Sequence, residues 1–399
     1  MSSIRKYLSK VSAFVLIVAI FALGFALGSS QGILEAQQAK RIIGDTEDAF
    51  APLFEVFDAI QARYIDKNEI DVPTLVDGAI RGMVEALGDD FNGYLSPQAF
   101  NRFNSDMTGS VEGIGVVIRT IEATGEIEVV SVIEGAAARA AGVLPGDIFW
   151  EVDGRSVLGL NQTELADLVR GPAGTQVQIR FKRGETFVDF TITRVRFSVP
   201  IIESRVVDND IAYVKLSEFN SVAVDRIREA VAALDVNTRH GLIFDLRGNP
   251  GGLLSSAVDV GSFFIEDGVL LYETFADGRE EIFRANGKYG NINVPIVVLV
   301  DEASASASEL VAGAMQVNGI ATVVGEVTFG KGTVQTIQAL SNSGALRLTI
   351  ARYLLPNRSW IHKVGVTPDI LVEWSPRTPE EMAGADPQLQ AAIEFLSTP

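Results

Sequence analysis

The run from Val294 to Val300 and the residues after it constrain the fold more than any other stretch. The run reads as a strand and ends in Asp301-Glu302-Ala303-Ser304-Ala305-Ser306-Ala307-Ser308-Glu309, a turn of small residues holding three serines. A helical pattern follows through Leu310, Val311, Ala314 and Met315. The same alternation fills the chain from about Val199: a strand at Ile211–Leu216, an amphipathic helix at Val222–Leu234, a buried-type strand at Leu242–Leu246 and a helix at Leu254–Phe264. Further strands are expected at Val323 and Val324, over Thr333–Leu340 and over Arg347–Tyr353. Such alternation predicts an α/β layer built from crossover units.

The serine turn carries chemistry as well as topology. A serine on a strand-to-helix turn sits beside unpaired backbone N–H groups and the helix dipole, both of which favour developing negative charge. To attack at neutral pH its oxygen needs a base, and Lys331, between Gly330 and Gly332, can serve if burial lowers its pKa. Ser306-x-x-Glu309 is also a capping box, a pattern found at helix starts with no catalytic role.

Composition removes the rivals. The chain has no cysteine, which excludes thiol nucleophiles, disulfides and thiolate metal sites. Its two histidines, His240 and His362, lie outside any H-E-x-x-H pair and read as structural, so no metal and no cofactor are implied. A formal charge of −18 argues against nucleic-acid binding. Gly325 to Lys331 matches a phosphate-loop pattern up to its last place, but Gly332 replaces the required Ser or Thr and a strand, not a helix, follows.

Residues 109–196 carry their own pattern. Gly113-Ile114-Gly115-Val116 is a glycine-bearing turn into a strand; Ile127–Val132 is a second strand, Ala136–Ala141 a helix, and Gly142-Val143-Leu144-Pro145-Gly146-Asp147-Ile148 leads to Val152-Asp153-Gly154. A short helix at Thr163–Arg170 and two alternating strands complete a set that resembles a PDZ domain. Amides of the glycine turn, Gly113 to Val116, can hold a terminal carboxylate, and Leu165, Leu168 and Val169 are expected to wall the groove for the last side chain.

Ser306 and Lys331, with the phrase Asp245-Leu246-Arg247-Gly248-Asn249-Pro250-Gly251-Gly252, resemble the carboxyl-terminal processing peptidases, or tail-specific proteases. The weaker match at Gly88 to Pro97 extends the resemblance over roughly residues 50–399. It implies a crotonase-like or Clp-protease-like α/β core with an inserted PDZ domain. It also implies a Ser306/Lys331 dyad supported by Gln335, and an oxyanion hole from the amides of Gly252 and Ala307, with Gly251 as a substitute. Lys331, Thr333 and Gln335 share one face if the strand is regular. Protein substrates with free C-termini follow as partners. A catalytically silent PDZ scaffold is the alternative reading, and assembly into a homo-oligomer stays open.

At the N-terminus, Arg5, Lys6 and Lys10 precede an apolar stretch from Val11 to Leu27. This is expected to be an uncleaved signal anchor that places the body outside the cytoplasm, with a cleaved signal peptide as second choice. The resulting division is a stub and anchor at 1–32, a helical region at 33–108, the PDZ domain at 109–196 and the peptidase core at 197–399. Within the helical region, Phe50, Leu53, Phe54, Phe57, Ile60 and Tyr64 share one helical face, and a second helix is expected after Pro73.

Overall fold

The computed structural model describes residues 48–121, 123–374 and 384–398. The expected anchor, with Arg5, Lys6, Lys10 and Val11 to Leu27, lies outside them. Among the described residues no helix is long and apolar enough to cross a membrane.

The chain divides into two compact units between Ala79 and Ile80, inside its second helix. In the first, helix α1 (48–63) carries the aromatic stripe, and Phe54 on it is 64% exposed. Helix α2 (Val72–Glu85) begins before Pro73, not after it. Proline is tolerated there because first-turn N–H groups have no helical acceptor to lose.

In the second unit, β1 (Gly93–Leu95) and α3 (Pro97–Met107) lead to β2 (Ser110–Gly113). An antiparallel sheet follows in the order β3 (Val116–Thr120), β4 (Ile127–Val132), β5 (Ile148–Val152), β7 (Gln176–Arg183), β8 (Thr186–Thr193), with β6 (Arg155–Ser156) paired to β5. Helices α4 (Ala137–Ala141) and α5 (Gln162–Val169) belong to this module, whose core holds Phe149 and Phe181 with ring centroids 4.5 Å apart. The chain leaves through β9 (Val195–Ser198), which pairs antiparallel with β2, Val111 opposite Phe197. Entry and exit on one ribbon mark the module as an insertion.

The remaining elements are β10 (Ile202–Val207), β11 (Ile211–Leu216), α6 (Ala223–Ala233), β12 (Leu242–Asp245), α7 (Leu254–Phe264), β13 (Val269–Phe275), β14 (Glu280–Arg284), β15 (Ile296–Val300), α8 (Ala307–Val317), β16 (Thr322–Gly325), β17 (Thr333–Ala339), β18 (Ala345–Leu354), β19 (Ile370–Leu371) and a last helix, Pro387–Ser397. Strands β11, β12, β15, β16 and β19 run parallel in that order, with β10 antiparallel on the β11 edge. Every residue of β12 and β15 is buried, as expected for a parallel sheet covered on both faces. Val298 and Val300 point to the core built with α6, α7 and α8, while Val297 and Leu299 pack with Ile393 and Leu396 of the last helix.

A second sheet is organised on β18, which pairs with β17 along one edge and with β1 and β13 at opposite ends of the other; β13 pairs in turn with β14. Strands β13 and β14 were not anticipated from the sequence. The ladder of β17 on β18 shifts register between Val334 and Gln335. The extra residue of this bulge, Ile350, lies on β18, so Thr333 and Gln335 keep the shared face expected of them and Gln335 Nε2 donates to Thr333 Oγ1 at 3.0 Å, while Lys331 precedes the strand.

Candidate active site

The three serines of the turn after β15 have different environments. Ser304 and Ser308 are fully buried, and their hydroxyls donate to Leu246 O at 2.9 Å and Asn249 O at 2.8 Å. Both therefore tie the serine turn to the loop after β12. Ser306 lines a cavity of about 380 Å³ instead. It is the N-cap of α8 at φ 56° and ψ −112°, a left-handed φ that a non-glycine residue holds only where its surroundings impose it. Its N–H donates to Glu309 Oε2 at 2.7 Å, which is the Glu309 half of the expected capping box.

The opposing loop, Asp245 to Gly252, is braced from beneath. Asp245 is fully buried, accepts from Tyr213 Oη at 2.7 Å and pairs with Arg247, which also reaches Asp386. Burial works against the Arg247 charge, but the bonds and charge of Asp245 and then Asp386 outweigh it, so the guanidinium is held above its ordinary pKa. Asn249, also fully buried, donates to Leu216 O, and its carbonyl accepts Ala305 N–H at 3.0 Å.

This bracing sorts the expected oxyanion donors. Gly251 N–H donates to Asn249 Oδ1 at 2.9 Å, so it is spent and cannot substitute. Among the described residues no hydrogen bond takes the N–H of Gly252 or Ala307, and both residues line the cavity with Ser306. Glycine is required at both loop positions. At Gly251 (φ 102°) a Cβ would lie 2.8 Å from Ala305 O and 2.9 Å from Ser306 Cβ; at Gly252 (φ 148°) it would lie 2.2 Å from Phe219 O.

Lys331, Gln335, Arg347 and Tyr353 line the same cavity. The Lys331 ammonium lies 5.2 Å from the centroid of the Phe91 ring. Burial pushes its pKa below the usual lysine value and Arg347 adds to this, against the opposing pull of Glu309 and Asp89. The unfolded chain thus binds more protons between the folded and ordinary lysine values, and the stability contributed by this residue increases as pH rises through that window. Gln335 Nε2 donates to the hydroxyls of Thr333 at 3.0 Å and Thr349 at 3.2 Å; no bond joins it to Lys331 among the described residues. His240 holds Asn209 O through Nδ1, His362 stacks on Trp360 with centroids 5.1 Å apart, and neither lines the Ser306 cavity.

The inserted module has a groove of about 280 Å³ between β3 and α5, lined by Gly113, Ile114, Gly115, Val116, Leu165 and Val169 among others. Leu168 is not in its wall and packs against the module's core instead. The helix face in the wall is made by Leu165, Ala166, Val169 and Arg170, two pairs four residues apart, which leaves Leu168 off it. Ile114 and Gly115 N–H groups are taken by no hydrogen bond among the described residues.

Comparison with known proteins decides the family. A sequence profile described as Peptidase family S41 matches residues 210–372, one described as PDZ domain matches 128–183, and one for the N-terminal domain of the activating protease CtpB matches 25–99. The carboxy-terminal processing protease CtpA of Bacillus subtilis is 34% identical over 366 residues, covering 91% of this chain and 77% of the relative. The chain belongs to the carboxy-terminal processing proteases of peptidase family S41. A relative from Bartonella bacilliformis, a carboxy-terminal-processing protease, is 33% identical over 377 residues, 92% of this chain and 85% of its own. A crystal structure described as that of an S41 protease from Bacteroides fragilis shares the fold, with a TM-score of 0.52 at 16% identity over 85% of this chain and 96% of that one.

The protease is thus a serine peptidase with a PDZ domain. Four residues around its cavity escaped the sequence reading: Phe91, Arg347, Tyr353, and Glu309 in any role beyond a helix cap. Only the Ser-x-x-Glu spacing signalled any of them. Replacing Gly251 by Ala would drive a methyl group into Ala305 O and Ser306 Cβ, both on the serine turn. Gly251→Ala is expected to lower kcat by about 10²-fold, the scale of a misplaced reacting group, while melting shows a folded core. Wild-type kcat in that variant would show that the turn tolerates the displacement.

Proposed function

We propose that the protease cleaves extracytoplasmic proteins near their C-termini with Ser306 as nucleophile and Lys331 as general base. The observation that supports this reading is that Ser306, Lys331, Gln335, Gly252 and Ala307 line one cavity. Ser306 Oγ attacks the scissile carbonyl carbon as its proton passes to neutral Lys331 Nζ. The oxyanion accepts from the Gly252 and Ala307 N–H groups, at the N-terminus of α8, where the helix dipole adds to the attraction. Lys331 then gives the proton to the leaving amine, and the acyl group stays on Ser306 until water, deprotonated by the same lysine, releases it. Gln335 commits its Nε2 to two threonines, which leaves its carbonyl as the acceptor for the lysine amine. The silent-scaffold alternative draws no support from an intact set of this kind.

The module over 109–196 acts as the recognition domain and 197–399 as the peptidase core. The substrate's terminal carboxylate accepts from the Ile114 and Gly115 amides, its chain adds to the open edge of β3, and its last side chain enters between Leu165 and Val169. The basic and apolar N-terminus supports export, with the apolar stretch retained as an anchor.

Three outcomes test this reading. Ser306→Ala and Lys331→Ala each abolish turnover of a denatured model protein, the double variant is no worse, and the wild-type rate climbs with pH as Lys331 loses its proton. Full activity in a folded Lys331→Ala protein would place the base elsewhere. Amidating a ligand peptide's C-terminus weakens its binding to the full protein by about 1–3 kcal/mol in calorimetry, the scale of a lost charge-assisted hydrogen bond; equal affinities would refute carboxylate capture. A reporter fused after Leu34 is active only when exported, and cytoplasmic activity would sink the export assignment.

A further inference from the structure

We propose that Glu309 and Tyr353 are positioning residues that grip the peptide units of Ser306 and Lys331 from opposite sides, so that the dyad is assembled only while both are in place. This rests on the Ser306/Lys331 reading and adds the device that brings the two loops together.

Glu309 sits in the first turn of α8 with no exposed surface. Its Oε2 accepts Ser306 N–H at 2.7 Å and Lys331 N–H at 2.9 Å. Its Oε1 accepts Gly330 N–H and the Thr328 hydroxyl, each at 2.6 Å. Thr328 is itself fixed, because its Oγ1 accepts Val366 N–H at 2.7 Å. A helix cap needs only the first of these bonds. The other three reach a loop in another part of the chain, the one that carries Lys331.

Tyr353 completes the arrangement from β18. Its hydroxyl, fully buried, donates to Lys331 O and lies 3.4 Å from Ser306 O. Both N–H groups of the dyad residues therefore meet one carboxylate oxygen, and both carbonyls meet one phenol. Burial, with Glu309 adding to it, holds the phenol well above its ordinary pKa, so the donor stays protonated.

The electrostatics argue that this geometry, and not charge, is what Glu309 contributes. The charged groups facing Lys331 are Arg347 on β18, Asp89 in the loop before β1 and Glu309 itself, with the Phe91 ring over the ammonium. Glu309 pulls the Lys331 pKa upward, against the neutral form that a base requires. No cation forms an ion pair with Glu309 among the described residues. A buried carboxylate is costly unless hydrogen-bonded, and here four donors from two loops satisfy it.

The test measures kcat, KM and the pH–rate profile of folded Glu309→Gln and Tyr353→Phe proteins, together with the rate at which a fluorophosphonate labels the active-site serine. In Glu309→Gln one acceptor oxygen becomes an amide that faces N–H or O–H donors. The expected result is a fall of about 10–100-fold in kcat and in labelling, as for a reacting group displaced by about 1 Å, with KM within twofold. The rising limb of the profile also moves to lower pH, because the charge that raised the Lys331 pKa is gone. Tyr353→Phe lowers kcat without moving that limb, since the hydroxyl is neutral. A purely structural role would lower melting temperature and the active fraction but leave kcat and labelling rate per folded active site at the wild-type value, and that outcome overturns the proposal. If Glu309→Gln does not fold, Tyr353→Phe decides: reduced kcat and labelling support the grip, and wild-type values refute it. Failure of the dyad itself is read separately, from activity retained in Lys331→Ala.

Discussion

The carboxylate of Glu309 ties together two loops that are distant in the chain. One is the serine turn between β15 and α8; the other, Gly330-Lys331, leads into β17 of a different sheet. Each loop alone is a short connection whose backbone N–H groups need acceptors when buried. One side chain supplies those acceptors to both, and the cavity that holds Ser306 and Lys331 follows from the junction. The left-handed backbone of Ser306 also becomes intelligible, because strain of about 1–3 kcal/mol persists only where several contacts over-determine it.

A second junction sets the other wall of the cavity. The hydroxyls of Ser304 and Ser308, and the N–H of Ala305, bind carbonyls of the loop after β12, while Gly251 lies against Ser306 with no room for a side chain. Beneath them, Tyr213, Asp245, Arg247 and Asp386 lock that loop to the sheet and to the last helix. The Gly252 and Ala307 amides are left facing the cavity because every neighbouring donor already has a partner. Preorganisation of this kind is what makes fixed dipoles effective on a developing oxyanion, since nothing has to reorient during the reaction.

Lys331 shows how opposing effects combine at one atom. Burial and Arg347 favour the neutral amine; Glu309 and Asp89 favour the charged one, and the net direction is downward. Arg347, whose Nε is buried without a partner among the described residues, is the neighbour whose charge works in the same direction as desolvation. The lysine thus depends on a dry wall, including the Phe91 ring, more than on any single charge.

Much of this was legible in one dimension. Strands β11 and β4 and helix α7 have the bounds expected, and α8 begins immediately after Ser306, because hydrophobic period and small-residue turns are local properties of the chain. The identities of the serine turn, the glycine pair and the PDZ phrase were equally local, and the absence of cysteine excluded whole mechanisms. Strands β13 and β14 were missed because neither alternates cleanly, β13 carrying the adjacent buried pair Leu270-Leu271 and β14 being exposed along most of its length, whereas the shared face of Thr333 and Gln335 followed from the two-residue period. What the sequence determined by itself was the order of elements, the family and a short menu of reactive groups. Only the tertiary structure decided which of three serines is left to face the cavity, which glycine amide is free, and which carboxylate reaches the lysine loop. Those are questions of hydrogen-bond pairing between segments far apart in the chain, and pairing of that kind has no signature in the spacing of residues along it.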